Sequence, residues 1–271
     1  MYNSDIYISA ADAARHASCS LALELLADGF AYAVQDAQGT LLSVGRAHGH
    51  HAATMTQVMS DVKGFFASVG IPLVGYSRMT LLVTADASVW VPKELYDPAA
   101  GRSYLRAVGG TATSLLSAES TRLNAVSLFS SDERLVTAFK VALPGIVVTN
   151  QHVAMADRLL QRAGKPCATL MLRWDRNGID MAATKGGQYI FGNRLSFSSK
   201  EQAIYLVVEM LRAYGLADEG CEMLLCGDVD RDIFARLQPY FPTASLYTGQ
   251  HTSLGNAAMK GLHTYRHALI V

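Results

Sequence analysis

A handful of short stretches carry side chains whose types and spacing could do chemistry. His48-Gly49-His50-His51 gathers three imidazoles, the beginning of a zinc site. Two of them are adjacent and no Cys or carboxylate follows at ligand spacing, so the run is read as a solvated junction between a strand and a helix. Asp228-Val229-Asp230-Arg231-Asp232 has the alternating acids of a calcium loop, but Ile233 stands where that loop needs Gly and Pro239 where it needs a bidentate Glu. These acids are expected instead to cap the following helix and complement its dipole. Asp28-Gly29 and Asp175-Arg176-Asn177-Gly178 are tight turns bearing carboxylates. Such turns could face a metal-bound phosphate, yet they are also what an ordinary hairpin would choose. Gly249-Gln250-His251-Thr252-Ser253 brings His near Ser without identifying a third triad member. No G-x-S-x-G elbow, Walker loop or G-x-G-x-x-G fingerprint is present.

The chain that must position these groups has 271 residues, half of them hydrophobic, which suits one large α/β domain or two lobes and excludes disorder as the main state. Lys and Arg together number 23, as do Asp and Glu, so there is no basic excess for tracking a phosphate backbone. The four cysteines, Cys19, Cys167, Cys221 and Cys226, form no C-x-x-C pair and are expected as free thiols in a reducing compartment. No basic and apolar leader opens the sequence. The most apolar run, 136–148, is broken by Lys140 and Pro144, short of a membrane span. A soluble, cytoplasmic protein is expected.

Two segments share one grammar. In the first, alternation over 20–26, the turn at Asp28-Gly29, and the runs 30–35 and 40–47 predict a three-strand meander. A helix follows with Met55, Val58, Met59, Val62, Phe65 and Phe66 at helical spacing, ending at Gly70. In the second, strands are predicted at 169–174, 179–184 and 189–197. Ser198-Ser199-Lys200-Glu201 reads as a capping box, and the helix it opens ends at Gly215. Each segment then continues strand, helix, strand: 123–129, 131–143 and 146–149 in the first, 222–226, 231–240 and 244–247 in the second. Another helix, 151–163, closes the first. Residues 79–110 are left over and are expected to be an insertion in the first lobe. The boundary is placed at Gly164-Lys165-Pro166, giving lobes 1–164 and 165–271.

This duplicated order resembles the actin-like ATPase fold, also described as ribonuclease H-like, and predicts an α/β protein of two lobes, each a mixed sheet flanked by helices. More narrowly, the sequence is similar to the bacterial DUF3822 family. The residues carrying that resemblance are 25–34, 89–97 and 123–129, which read LLADGFAYAV, VWVPKELYD and LNAVSLF. The fold implies a nucleotide cleft between the lobes, with Mg²⁺ near the two hairpin carboxylates, phosphates on the turn backbones, and adenosine on paired glycines after a later strand. The weak cleft candidates are therefore Asp28, Asp175, Gly227 and Asp228. Phe30-Ala31 follow the first turn without a hydroxyl or second glycine, the second turn lacks Ser or Thr, and Asp228 replaces one glycine of the adenosine pair.

A degenerate cleft is thus expected, and with it a non-catalytic binding or assembly module having a protein partner and no predicted cofactor. The alternatives are an ATP- and Mg-dependent phosphoryl-transfer enzyme with divergent phosphate loops, and a small-molecule binder that reuses the interlobe cleft.

Overall fold

Alternating apolar residues build the first sheet. The chain opens with β1 (Asn3–Ile8), followed by the meander β2 (Ser20–Leu26), β3 (Gly29–Gln35) and β4 (Thr40–His48). Along β2, Leu21 and Leu23 point to one face while Ala22 and Glu24 point to the other, the period of two that lets a sheet bury both sides. Asp36 closes the β3–β4 turn by accepting hydrogen bonds from the Gln38 and Thr40 amides at 2.9 and 2.8 Å. Helix α1 (Met55–Val69) follows, then β5 (Arg78–Val83), which runs parallel to β2. This computed structural model describes residues 3–8, 17–26, 29–48, 55–85, 87–110, 114–162, 167–176, 178–216, 220–249, 253–254 and 264–271.

Next come β6 (Ser88–Pro92), α2 (Gly101–Ala107), β7 (Leu115–Ser120), β8 (Ala125–Ser130) and α3 (Glu133–Ala142). β9 (Val147–Asn150) then returns beside β5 in parallel and leads into α4 (Gln151–Gln161). The large sheet has the order β1-β4-β3-β2-β5-β9, whereas β6, β8 and β7 form a separate antiparallel sheet. This corrects the reading of 79–110 as an insertion and of 123–129 as the fourth strand of the first unit. Arg78–Val83 is that fourth strand, and Ala125–Ser130 is the centre of the small sheet. Both are apolar runs of strand length, and sequence pattern does not say which sheet a strand joins.

The second unit follows its predicted order closely. It comprises β10 (Thr169–Trp174), β11 (Ile179–Lys185), β12 (Gln188–Leu195), α5 (Lys200–Ala213), β13 (Glu222–Gly227), α6 (Arg231–Leu237) and β14 (Ser245–Leu246). Its sheet order is β12-β11-β10-β13-β14, the same third-second-first-fourth-fifth order as β4-β3-β2-β5-β9. A short β15 (Ser253–Leu254) pairs with β4, so the second half reaches back onto the first sheet. The cap of α5 lies one residue later than the sequence box. Ser199 accepts from the Gln202 amide, and the Gln202 side chain accepts from the Ser198 amide and hydroxyl. Asp132 caps α3, and Asp230 caps α6 as expected. The Gly164-Lys165-Pro166 boundary lies outside the described residues.

Among the described residues, three large apolar clusters and a small one under β6–β8 (Val91, Val126, Leu128) hold this together. The outer face of the large sheet packs on α1 and α3, with Phe30 and Tyr32 against Phe65 and Phe66. The outer face of the second sheet packs Trp174, Met181 and Leu225 against Val207, Leu211 and Ile233 of α5 and α6. Between the inner faces lie α4 and the closing segment Ala268–Val271, whose four residues are all buried. Ala31, Ala33 and Ala182 line those inner faces, and their small side chains let a helix and a peptide fit between two sheets.

Candidate functional site

Ligands of open α/β sheets sit beyond the carboxyl ends of the strands. In this protein those ends, in both units, carry charged side chains on faces that are otherwise apolar. Strand register sets them in two rows. In the large sheet Glu24 stands opposite Ala31, and Ala31 opposite Arg46. In the second sheet Arg194 stands opposite Asp180, Asp180 opposite Arg173, and Arg173 opposite Cys226. The two rows face each other between the units.

Arg173 joins them. Its Nη2 donates to Glu24 Oε1 at 2.6 Å across the interface, and its Nη1 donates to Asp180 Oδ2 at 2.8 Å. Arg194 donates to the same Asp180 oxygen at 2.9 Å and to Asp175 at 3.0 Å. Arg46 and Asp228 form a second cross-unit pair, Nη1 and Nη2 each donating to one carboxylate oxygen, at 2.5 and 3.2 Å. Glu24, Arg173 and Asp180 are buried, which only partnered charges tolerate.

The amino end of α4 completes the cluster. Gln151 clamps the Ala85 backbone from both sides at 2.8 Å, and its Nε2 also donates to Asp180 at 3.0 Å. His152 lies with Nε2 3.7 Å from Asp180, and its Nδ1 shares a hydrogen bond of 2.7 Å with the Ser88 hydroxyl of the small sheet. Trp90 of β6 meets Tyr189 of β12 edge to face at 5.9 Å, so the small sheet touches both units here. Burial pushes the Asp180 carboxyl up, but the Arg173 and Arg194 guanidiniums outweigh it and hold it below the usual carboxylate range. Burial lowers the His152 imidazole and outweighs Asp180, favouring its neutral form. Burial also lowers the Arg173 guanidinium, but Glu24, Asp180 and Asp175 more than reverse this, and it stays charged.

Of the residues singled out from sequence, Asp175, Gly227 and Asp228 all lie at this rim. Asp28 and its neighbour 27 lie outside the described residues, between Leu26 and Gly29, which pair across the hairpin. Arg176 is exposed. Gly227 has φ 81°, and a Cβ there would come within 2.2 Å of the Trp174 carbonyl oxygen. The glycine thus serves a close approach of β13 to β10, where the Asp228 amide donates to that same oxygen at 2.8 Å. Of the histidine run, 49–51 lie outside the described residues, as does His251. Among the described residues no three His, Cys, Asp or Glu side chains converge as a metal site would require, and none of the four cysteines is in a disulfide.

Sequence reasoning missed Glu24, Arg46, Arg173, Asp180 and Arg194, although a signal was present. Glu24 interrupts a run of leucines and alanine, Arg173 sits between Leu172 and Trp174, and Asp180 between Ile179 and Met181. Charges inside strands this apolar are buried and must find partners.

No relative among curated proteins matches the chain in sequence. Among solved structures, it is similar to a protein from Bacteroides thetaiotaomicron VPI-5482 described as having an actin-like ATPase fold and unknown function. That match has a TM-score of 0.72 and 13% identity, covering 87% of this chain and 93% of the other. A PilM–PilN type IV pilus biogenesis complex matches with a TM-score of 0.62 and 10% identity, over 93% and 95%. The ethanolamine utilization protein EutJ from Carboxydothermus hydrogenoformans gives 0.50 and 10%, over 84% of each chain. The fold is therefore actin-like. Among the described residues no helix is long and apolar enough to cross a membrane. The sequence model for "Protein of unknown function (DUF3822)" covers residues 9–243, and the chain belongs to that family.

Proposed function

We propose that this protein is a non-catalytic member of the actin-like fold, a binding or assembly module whose interlobe cleft is filled by its own ion pairs. The observation that carries this reading is the bridge from Glu24 to Arg173 and on to Asp180 and Arg194, at the strand ends where the fold would hold a nucleotide. The residues present do not fit Mg-nucleotide. Asp175, Asp180, Glu24 and Asp228 each face a guanidinium instead of an open site. Within the Glu24–Arg173–Asp180–Arg194–Asp175 set, three carboxylates stand against two guanidiniums, a balance that disfavours polyphosphate. Asp228 adds a carboxylate beside the strand where adenosine would lie. That a fold neighbour is found in the PilM–PilN complex supports a protein partner as the object of binding.

Thermal melting with and without about 5 mM Mg-ATP tests this. A ligand at a hundredfold excess over its Kd adds about 2.7 kcal/mol, a shift of several degrees for a chain of this size. No shift is expected. A reproducible rise with Mg-ATP, absent with a polyanion of similar charge, would overturn the reading in favour of the phosphoryl-transfer alternative.

A further inference from the structure

The opposite ends of the same strands enclose a cavity. It measures about 420 Å³ and lies between the inner face of the large sheet, α4, β7 of the small sheet and the closing segment at Leu269–Ile270. Its space comes from small side chains on facing elements: Ala22 on β2, Thr80 on β5, Ala118 on β7 and Ala154 on α4. Leu82, Val153 and Ile270 give it apolar walls, and Val147 at its lip is 54% exposed, a large apolar side chain with no other evident use. Its volume is in the range of small-molecule sites, and polar and apolar groups share its lining.

The charges around it are not evenly matched. Asp157 accepts from the Ser120 hydroxyl at 2.6 Å, and Glu119 is paired with Lys93. Arg158 reaches the carbonyl oxygens of Leu269 and Val271 at 3.4 and 3.3 Å. Burial lowers its pKa, and nearby Arg78 pushes in the same direction against Tyr247 and Asp157. Arg78 itself is exposed, and its side chain makes no hydrogen bond or ion pair among the described residues. Two guanidiniums thus share one cavity with a single carboxylate, Asp157, that has no lysine of its own, since Glu119 is taken by Lys93.

We propose that this cavity is a binding site for a small amphipathic anion, a carboxylate or sulfonate with an apolar body. The acid group sits between Arg78 and Arg158, and the body lies along Leu82, Val153 and Val147. The site is independent of the ion-filled rim, so a protein that ignores Mg-ATP can still bind here.

8-Anilinonaphthalene-1-sulfonate, an aromatic sulfonate, is a suitable probe, followed by fluorescence and displaced with decanoate or with 1-decanol. One saturable site is expected in the folded protein, displaced by decanoate and far less by the neutral alcohol. Arg78→Glu, at an exposed position, should weaken binding about tenfold, the worth of one hydrogen bond to a charged group. Ala154→Leu should fill the cavity and abolish it, and Arg212→Glu, on the remote helix α5, should change nothing. Absence of a saturable site, equal displacement by alcohol and acid, or equal binding by wild type and Arg78→Glu would each overturn the proposal. Failure of Ala154→Leu to fold would leave the test on Arg78→Glu intact.

Discussion

Strand β2 begins beside an open cavity and ends in a buried ion-pair cluster. Ser20 and Ala22 border the space under α4, whereas Glu24, on the same face, is buried against Arg173. The backbone is equivalent at both ends, so side-chain size and charge alone make the difference. Small residues on four elements leave a void at the amino ends, and long charged residues from two sheets fill the gap at the carboxyl ends. In this protein, then, the carboxyl ends of the strands carry buried ion pairs, and a cavity lies at their other end.

The sharpest way to break this contrast is to remove the residue that joins the two units. Arg173→Met keeps the volume but leaves Glu24 and Asp180 buried without their main partner. Uncompensated buried charges of this kind cost about 3–5 kcal/mol. Chemical denaturation would measure it. Because the loss comes from the stranded carboxylates, adding Glu24→Met to Arg173→Met should recover part of the stability. If the double variant is the weaker one, the network is not organised around this bridge.

Gly227→Ala attacks the same rim through the backbone. A side chain there meets both an unfavourable left-handed φ and the Trp174 carbonyl oxygen at 2.2 Å. Strain and crowding together should cost roughly 2–4 kcal/mol. A near-neutral outcome would mean that β13 and β10 can part at their ends, leaving space the structure does not show.

These two residues also illustrate what could be read in advance. The second unit was legible almost element by element, because turns separate β10, β11 and β12, α5 has a cap and a glycine stop, and consecutive elements are neighbours in space. The first unit was harder because a long stretch, residues 84–146, intervenes between its fourth and fifth strands, and both Arg78–Val83 and Ala125–Ser130 satisfy the local pattern. Asp175, Gly227 and Asp228 were found at the rim since turns and strand ends announce themselves. Arg173 and Glu24 could be flagged as misplaced charges, but their pairing spans 149 positions and needs both sheets in place. The amino-end cavity was invisible for the same reason, since alanines and a threonine scattered over four elements carry no local signal.

Acid titration should separate two groups within the rim. His152 is held neutral by burial, so its folded pKa lies below the unfolded value of about 6.5. As pH falls below that value the unfolded chain takes up a proton that the folded chain refuses, and stability drops. Asp180 acts in the same direction at lower pH. Burial raises its pKa, but the cations facing it prevail, so its contribution is present above the unfolded pKa of about 3.9 and is lost as pH falls through its lower folded value. Denaturation midpoints between pH 7.5 and 5 should therefore decline before Asp180 protonates, and His152→Gln should flatten that decline. An unchanged slope in the variant would assign the decline to other histidines.

The smallest effect is expected where similar ion-pair chemistry lies in water. Lys200 bridges Asp230 and Asp232 at 2.7 and 2.9 Å, and Arg236 reaches Asp232 at 2.8 Å and Glu201 at 2.5 Å, a network as dense as the one at the rim. Its members are exposed or nearly so, and water and salt screen each charge before its partner does. Asp230 matters chiefly as the cap of α6, accepting from the Ile233 amide at 2.7 Å. Arg236→Gln, which leaves that cap in place, should give a denaturation midpoint indistinguishable from the wild type at moderate salt. A loss comparable to that of Arg173→Met would show that counting ion pairs, and not their burial, predicts stability in this protein, and the contrast between its closed rim and its solvated surface would fail.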